Sequence, residues 1–189
     1  MVAILHEGSA KKTADNELLK LLIEKLELNI KEIRFFGLGG KSNFFKEDYR
    51  AYKELLTEIN EGAFSKILFV IDADYKENDT KYGGFDNTLK EMIHLRKKLN
   101  IYEISDLYIT CNFDTKEGYL ESLILSSIPS TQKECIETFL DCSEFKSKEN
   151  DKAILNQIYN NAYPNAPYDF SSDKFDTLKQ KLQNLFKGE

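Results

Sequence analysis

Three acidic residues follow apolar runs of the sequence, at points where the pattern predicts the ends of strands. Glu7 comes shortly after the run VAIL at residues 2–5, and Asp72 and Asp74 come after the run ILFVI at residues 67–71. In an open parallel sheet, ligands bind outside the carboxyl ends of the strands. Because residues two apart on a strand point to the same side, we expect both aspartates to face one space. Glu7 joins them there if the first and third strands are neighbours.

Carboxylates crowded in this way would bind a divalent cation. Like charges raise one another's pKa unless they share a cation, and ligation by oxygen alone suits Mg²⁺ or Mn²⁺. Zinc is disfavoured because the chain has only two histidines, His6 and His94, and no cysteine near these acids. A single aspartate after a strand often caps the next helix. The prediction of a metal site therefore depends on Glu7 and the two aspartates together.

The elements that must position these acids alternate between strand and helix. Apolar runs predict strands at residues 2–5, 32–40, 66–74 and 106–113. Apolar residues spaced three and four apart predict helices at about 14–26, 44–60 and 88–99, with a polar loop at 75–87 before the last of them. This alternation is typical of an α/β fold with a largely parallel sheet of about four strands flanked by helices.

The remainder of the chain is predicted to be mostly helical. Helices are expected at residues 117–127, near 131, at 151–160 and at 173–187. Thr131 and Glu134 have the spacing of a capping box at the start of the second of these helices. We expect one α/β domain over residues 1–127 and a helical C-terminal extension, residues 128–189, packed on the same domain.

Composition narrows the class of protein. The chain has 189 residues and a net charge of -6, from 26 Lys and Arg against 32 Asp and Glu. This charge disfavours a protein that coats nucleic acid nonspecifically, but not a nuclease, because a metal site supplies its own positive charge. Three cysteines without metal-type spacing, and no apolar run approaching about 18 residues, predict a cytoplasmic protein with free thiols and no membrane contact.

The order of these motifs resembles the Toprim domain, the catalytic domain shared by topoisomerases, bacterial primases, recombination proteins and OLD-type nucleases. The matching features are a strand ending in Glu7-Gly8, a helix, a second strand, and a strand ending in Asp72-x-Asp74. The stretch EGYLESLIL at residues 117–125 is similar to a segment of small stand-alone Toprim-like proteins. The resemblance covers residues 2–125, about two thirds of the chain.

The resemblance implies roles for individual residues. Glu7 would act in acid–base catalysis or help to organise the metal, and Asp72 and Asp74 would bind Mg²⁺ or Mn²⁺. Glu121 would complete a second metal position. The first acid after Glu-Gly is Asp15, later than in many relatives. The implied activity is metal-dependent cutting of DNA or RNA, in phage defence or nucleic-acid maintenance; the sequence leaves the nucleic acid and the oligomeric state open.

Several residues after the first two strands are candidates for contacts with phosphate. Lys11, Lys12 and Lys41 could steer a phosphate, although exposed charges with no such role are more common. Because Gly39 and Gly40 have no side chains, the backbone there could approach a phosphate closely. The two glycines could equally form a tight turn between strand and helix. His6 is adjacent to Glu7, but along a strand it points the opposite way, so we expect it to face the core or a helix.

Two other functions remain open at this stage. One is a phosphotransfer or nucleotide-binding enzyme of another doubly wound fold. A phosphohydrolase of that kind usually has a nucleophilic aspartate where this chain has Glu7, which disfavours it. The other is a non-catalytic regulatory or protein-binding module on a Toprim-like shell.

Overall fold

Four parallel strands form the central sheet of the protein. The structure is a computed structural model that describes residues 1–9, 13–142 and 170–187. The strands are β1 (Val2–His6), β2 (Ile33–Gly37), β3 (Lys66–Asp72) and β4 (Ser105–Thr110). They lie in the order β2-β1-β3-β4 and all pair in parallel. The predicted α/β class and parallel sheet are confirmed, and β1 and β3 are neighbours.

Helices connect the strands and continue after the sheet. They are α1 (Ala14–Lys25), α2 (Lys41–Phe44), α3 (Arg50–Asn60), α4 (Phe85–Lys98), α5 (Leu120–Ser127), α6 (Ser130–Cys142) and α7 (Asp176–Leu185). Short 3₁₀ turns at Ile30–Glu32 and Asp173–Phe175 precede β2 and α7. None of the helices in the described part of the chain has both the length and the apolar character needed to cross a bilayer.

The strands read as continuous apolar runs because both faces of the sheet are covered. Alternate residues of β1 and β3 point to opposite faces, so Ile4 and Leu68 enter one buried cluster and Leu5 and Phe69 enter the other. The first cluster includes residues of α1, α5 and α7, and the second includes residues of α3 and α4. Phe36 and Phe44 are buried in the second cluster.

The helix predicted at residues 44–60 ends at Asn60 as expected, but its predicted start is wrong, because a separate short helix comes first. The short helix α2 ends at Phe44, and α3 begins at Arg50. The buried Tyr52 hydroxyl donates to the Phe44 carbonyl oxygen at 2.7 Å. This long-range bond satisfies the end of α2 and favours a break that apolar spacing does not reveal.

Other element boundaries differ from the predictions at their ends. β3 stops at Asp72, two residues before its predicted end. The predicted capping box of Thr131 with Glu134 is wrong, because α6 begins at Ser130 and the backbone N–H of Gln132 donates to the Pro129 carbonyl. The helix predicted at residues 151–160 lies outside the described residues.

Candidate functional site

A cavity of about 360 Å³ opens at the carboxyl edge of the sheet. It is lined by Glu7, Gly8, Ser9, Thr13, Ala14, Asp15, Gly39, Gly40, Asp72 and Glu121. Four of these residues are acidic, and none of the described lining residues is Lys or Arg. Lys11 and Lys12, the predicted phosphate contacts, lie outside the described residues. The described wall of the cavity is therefore strongly negative.

Asp72 is buried at the end of β3 and has a hydrogen-bond donor on the neighbouring strand. It is the last residue of β3, lies opposite Thr110 of β4, and is 5% exposed. The Thr110 hydroxyl donates to Asp72 Oδ1, and a hydrogen bond to a buried carboxylate fixes its orientation. Thr110 is a residue of the candidate site that sequence reasoning missed, and the only signal for it was a polar residue at the end of a buried strand.

Glu7 lies beside Asp72 because β1 and β3 are adjacent. Its Oε2 accepts a hydrogen bond from the Asp72 backbone N–H at 3.2 Å. Burial, and then the negative charge of Asp74, raise the pKa of Glu7 to about 7, against the opposing effect of that hydrogen bond and of Lys41. A carboxyl with such a pKa takes up and releases a proton near neutral pH, as a general acid or base must.

Glu121 reaches the same cavity from the first turn of α5, where it is 2% exposed. A tight turn at Gly118 sets the start of this helix. Gly118 has a φ of +102°, and a Cβ at this position would lie 2.4 Å from Ser122 Oγ. The Ser122 hydroxyl also accepts a hydrogen bond from the Tyr119 backbone N–H at 3.3 Å. Glycine is therefore required here for both conformation and space.

Asp74, the second aspartate of the pair, is placed differently. The strand alternation predicted to align it with Asp72 does not reach it, because β3 has ended and Asp74 has a left-handed φ of +57°. Its backbone exchanges two hydrogen bonds with Gly118, at 2.7 and 3.1 Å. Its carboxylate lies 3.3 Å from the Lys41 ammonium and is not part of the cavity lining.

Lys41 is buried, so the view that it is an ordinary exposed charge is wrong. It is 8% exposed, and its ammonium donates to the Ala73 carbonyl oxygen at 2.6 Å as well as pairing with Asp74. Its predicted contact with phosphate stays untested, but the ammonium already has two protein partners. Burial of a charge of this kind is tolerated only where such partners neutralise it.

The remaining predicted residues near β1 and β2 have clear positions. Gly39 and Gly40 line the cavity with φ values of +74° and +136°. His6 is fully buried, and its Nε2 lies 3.3 Å from the Asn16 amide nitrogen on α1, so the expectation that it faces a helix is confirmed. Burial and the charge of Lys20 lower the pKa of His6 to about 4, which keeps it neutral at neutral pH.

The loop between β3 and α4 is held by its own hydrogen bonds. The Asp79 carboxylate accepts from the backbone N–H groups of Lys81 and Tyr82, at 2.9 and 3.0 Å. Tyr82 also stacks on Phe45, with ring centroids 4.2 Å apart. No residue of this loop lines the carboxylate cavity. At the end of the loop, the Gly84 N–H donates to the carbonyl oxygens of Ala73 and Asp74, at 2.9 and 3.2 Å.

The acids fit a divalent cation in kind, but they do not converge on a single point. Among the described residues, no three His, Cys, Asp or Glu side chains are close enough together to hold an ion. Four carboxylates around one cavity are nevertheless the donor type that Mg²⁺ and Mn²⁺ prefer, with waters completing the shell.

A second cavity of about 470 Å³ runs along β4, which is the edge strand next to α4. Its wall is mainly apolar and aromatic, with Leu89, Ile93, Tyr102 and Phe113 among its residues. Cys111 also lines it, and burial raises the pKa of this thiol, which makes it a poor nucleophile.

The fold and the site define an α/β protein with a four-stranded parallel sheet and an acidic cavity at its carboxyl edge. Comparison with protein-family models, with curated proteins and with solved structures finds no match for this chain.

Proposed function

We propose that this protein is a Toprim-like enzyme that cleaves phosphodiester bonds of nucleic acid with the help of Mg²⁺ or Mn²⁺. The observation that carries the proposal is the placement of Glu7, Asp15, Asp72 and Glu121 around one cavity at the carboxyl ends of parallel strands. A cavity so negative repels a phosphate anion unless a cation is present. Its donors suit a hard divalent cation rather than an organic cofactor.

Three of the four acids, Asp72, Glu121 and Glu7, have a part in the proposed reaction. Asp72, oriented by Thr110, would hold the cation together with Glu121. When bound, Mg²⁺ or Mn²⁺ would neutralise phosphate charge and acidify a water molecule. Glu7 would accept the proton of the attacking water on its carboxylate as the water oxygen bonds to phosphorus and the bond to the leaving oxygen breaks.

The backbone of Asp72 supports this role of Glu7. Its N–H donates to Glu7 Oε2 and stabilises the ionised form, so the carboxylate is kept in place and ready to accept a proton. Gly39 and Gly40 line the cavity with backbone alone, because they have no side chains. A phosphate group could therefore approach the backbone of this turn.

Cleavage of labelled single-stranded DNA, double-stranded DNA and RNA tests the proposal. We expect cutting of at least one substrate in Mn²⁺ or Mg²⁺, and none with EDTA. Asp72→Asn should lower the rate by at least about 100-fold, because the proposed ligand that Thr110 orients loses its charge.

Asp48→Asn is the matched control, because Asp48 is exposed and lies outside the cavity. It should cut at the wild-type rate. Cutting that survives Asp72→Asn, or no cutting of any substrate by the wild-type protein, would refute the proposed activity.

A further inference from the structure

The buried lysine Lys41 stands next to the acidic cavity but is not one of its lining residues. Lys41 is the first residue of α2, directly after Gly40 of the cavity wall. Its ammonium contacts the Ala73 carbonyl at 2.6 Å and Asp74 Oδ2 at 3.3 Å. Both partners belong to the two residues that follow β3, so one lysine holds the chain where it leaves the sheet.

Asp74 is held from three directions. Its left-handed backbone pairs with Gly118 ahead of α5, and its carbonyl accepts a hydrogen bond from the Gly84 N–H at 3.2 Å. Its carboxylate is the neighbour of the Lys41 ammonium. Asp74 therefore contacts the first residue of α2, the residue before α4 and the turn ahead of α5.

We infer that Lys41 acts as a built-in cation that withholds Asp74 from the carboxylate cavity, so that a divalent ion is held by Asp72 and other cavity acids without Asp74. The Asp-x-Asp motif then has two separate functions. Asp72 is a ligand, and Asp74 is the internal partner of a lysine. Lys41 is a positioning residue in this arrangement, and the metal part of the inference rests on the proposed function.

The ion pair can be tested without any metal. The unfolding equilibrium in urea is measured for wild type, Lys41→Met, Asp74→Asn and the double variant. Asn is chosen because it tolerates a left-handed φ better than most residues. We expect the two substitutions to be coupled by at least fivefold in the unfolding equilibrium constant, because either one alone leaves a charge without its partner.

Lys53→Met is the matched control for the loss of a lysine charge. Lys53 is exposed on α3, and its combination with Asp74→Asn should be additive. A coupling between Lys41 and Asp74 below fivefold would overturn the inference, whatever the metal does.

Mn²⁺ binding, measured by calorimetry at pH 7.5, tests the role of the pair in the site. Asp74→Asn should leave the dissociation constant within threefold of wild type, whereas Asp72→Asn should weaken binding at least tenfold. Lys41→Met should strengthen binding at least threefold, because it removes a positive charge and releases Asp74. This gain should disappear in the double variant with Asp74→Asn, which a purely structural role of Lys41 does not predict.

The outcomes separate this inference from the proposed function. Weakening by Asp74→Asn as large as that by Asp72→Asn would overturn the inference and leave a metal site in place. Absence of Mn²⁺ binding in wild type would overturn the metal-dependent activity, while the urea experiment still decides the ion pair. If Lys41→Met does not fold, the comparison of Asp74→Asn with Asp72→Asn decides the role of Asp74 in the site.

Discussion

At the scale of single residues, the acids at the end of the sheet differ because their surroundings differ. Asp72 accepts a hydrogen bond from Thr110, Asp74 pairs with Lys41, and Glu7 combines burial with a negative neighbour. Identical chemical groups thus become an oriented, hydrogen-bonded carboxylate, an ion-pair partner and a carboxyl with a raised pKa. The differences arise from neighbours that are distant in sequence, such as residues 7 and 72 or 41 and 74.

The raised pKa of Glu7 predicts a specific dependence of stability on pH. The folded protein binds this proton more tightly than the unfolded chain, whose carboxyl titrates near 4.5, so the contribution of Glu7 is most favourable below pH 4.5 and is lost as pH rises through about 7. Glu7→Gln removes the carboxyl that ionises, and with it the loss of stability as pH rises. We expect the variant to be more stable than wild type at pH 8, by about 2 to 3 kcal/mol.

Urea unfolding at a series of pH values measures this difference. The neutral buried His6 contributes with the opposite sign, since its stabilisation is lost as pH falls from 6.5 towards 4, but it is present in both proteins and cancels in the comparison. A stability difference that does not change between pH 4.5 and pH 8 would contradict the assignment of the raised pKa to Glu7.

At the scale of elements, the turn at Gly118 links the segment that follows β3 to helix α5. Gly118 pairs with Asp74 after β3 and lies two residues before the helix that carries Glu121. The positive φ of Gly118 strains any residue that has a Cβ, and Ser122 lies too close to leave space for one. The position of Glu121 therefore depends on a backbone turn as well as on the apolar face of α5.

Gly118→Ala should destabilise the protein by about 2 kcal/mol or more, because the substitution adds strain and a steric clash. Gly62→Ala is the matched control, since Gly62 also has a positive φ, of +75°, but nothing lies within 4 Å of its missing Cβ. It should cost about 1 kcal/mol. Urea unfolding of both variants gives the comparison, and equal costs would show that the contact with Ser122 is unimportant.

At the scale of the whole molecule, the end of the chain contributes to the core beneath the sheet. Leu178, Leu182 and Leu185 of α7 belong to the same buried cluster as Ile4 and Leu68. The described C-terminal helix is thus packed against the strands that position Glu7 and Asp72.

Leu182→Ala should therefore destabilise the α/β sheet itself, by about 2 to 5 kcal/mol, in a single cooperative transition. Leu182 is fully buried, whereas Ile30, the control for loss of an aliphatic side chain, is 43% exposed. Ile30→Ala should cost less than about 1 kcal/mol. Urea unfolding followed by circular dichroism checks both, and two separate transitions in Leu182→Ala would show that α7 is not part of the same cooperative unit.

The sequence by itself determined the class of fold and the general place of the site. Strands covered on both faces need continuous apolar runs. The helices that cover them need apolar residues three and four apart, which form one apolar face. Acids directly after such runs must lie at the carboxyl edge of a parallel sheet. Glu7 and Asp72 could be found in this way because the rules involved are local and periodic.

Only the tertiary structure decided which acids share a cavity and what each one contacts. The periodic rule stops where β3 stops, and beyond Asp72 the backbone is directed by Gly118 and Lys41, which lie 44 and 33 residues from Asp74 in sequence. Nothing local marks Lys41 as buried, since its burial depends on two partners after another strand. Contacts between residues so far apart in sequence, rather than the type or spacing of the residues, give Asp74 and Asp72 different surroundings.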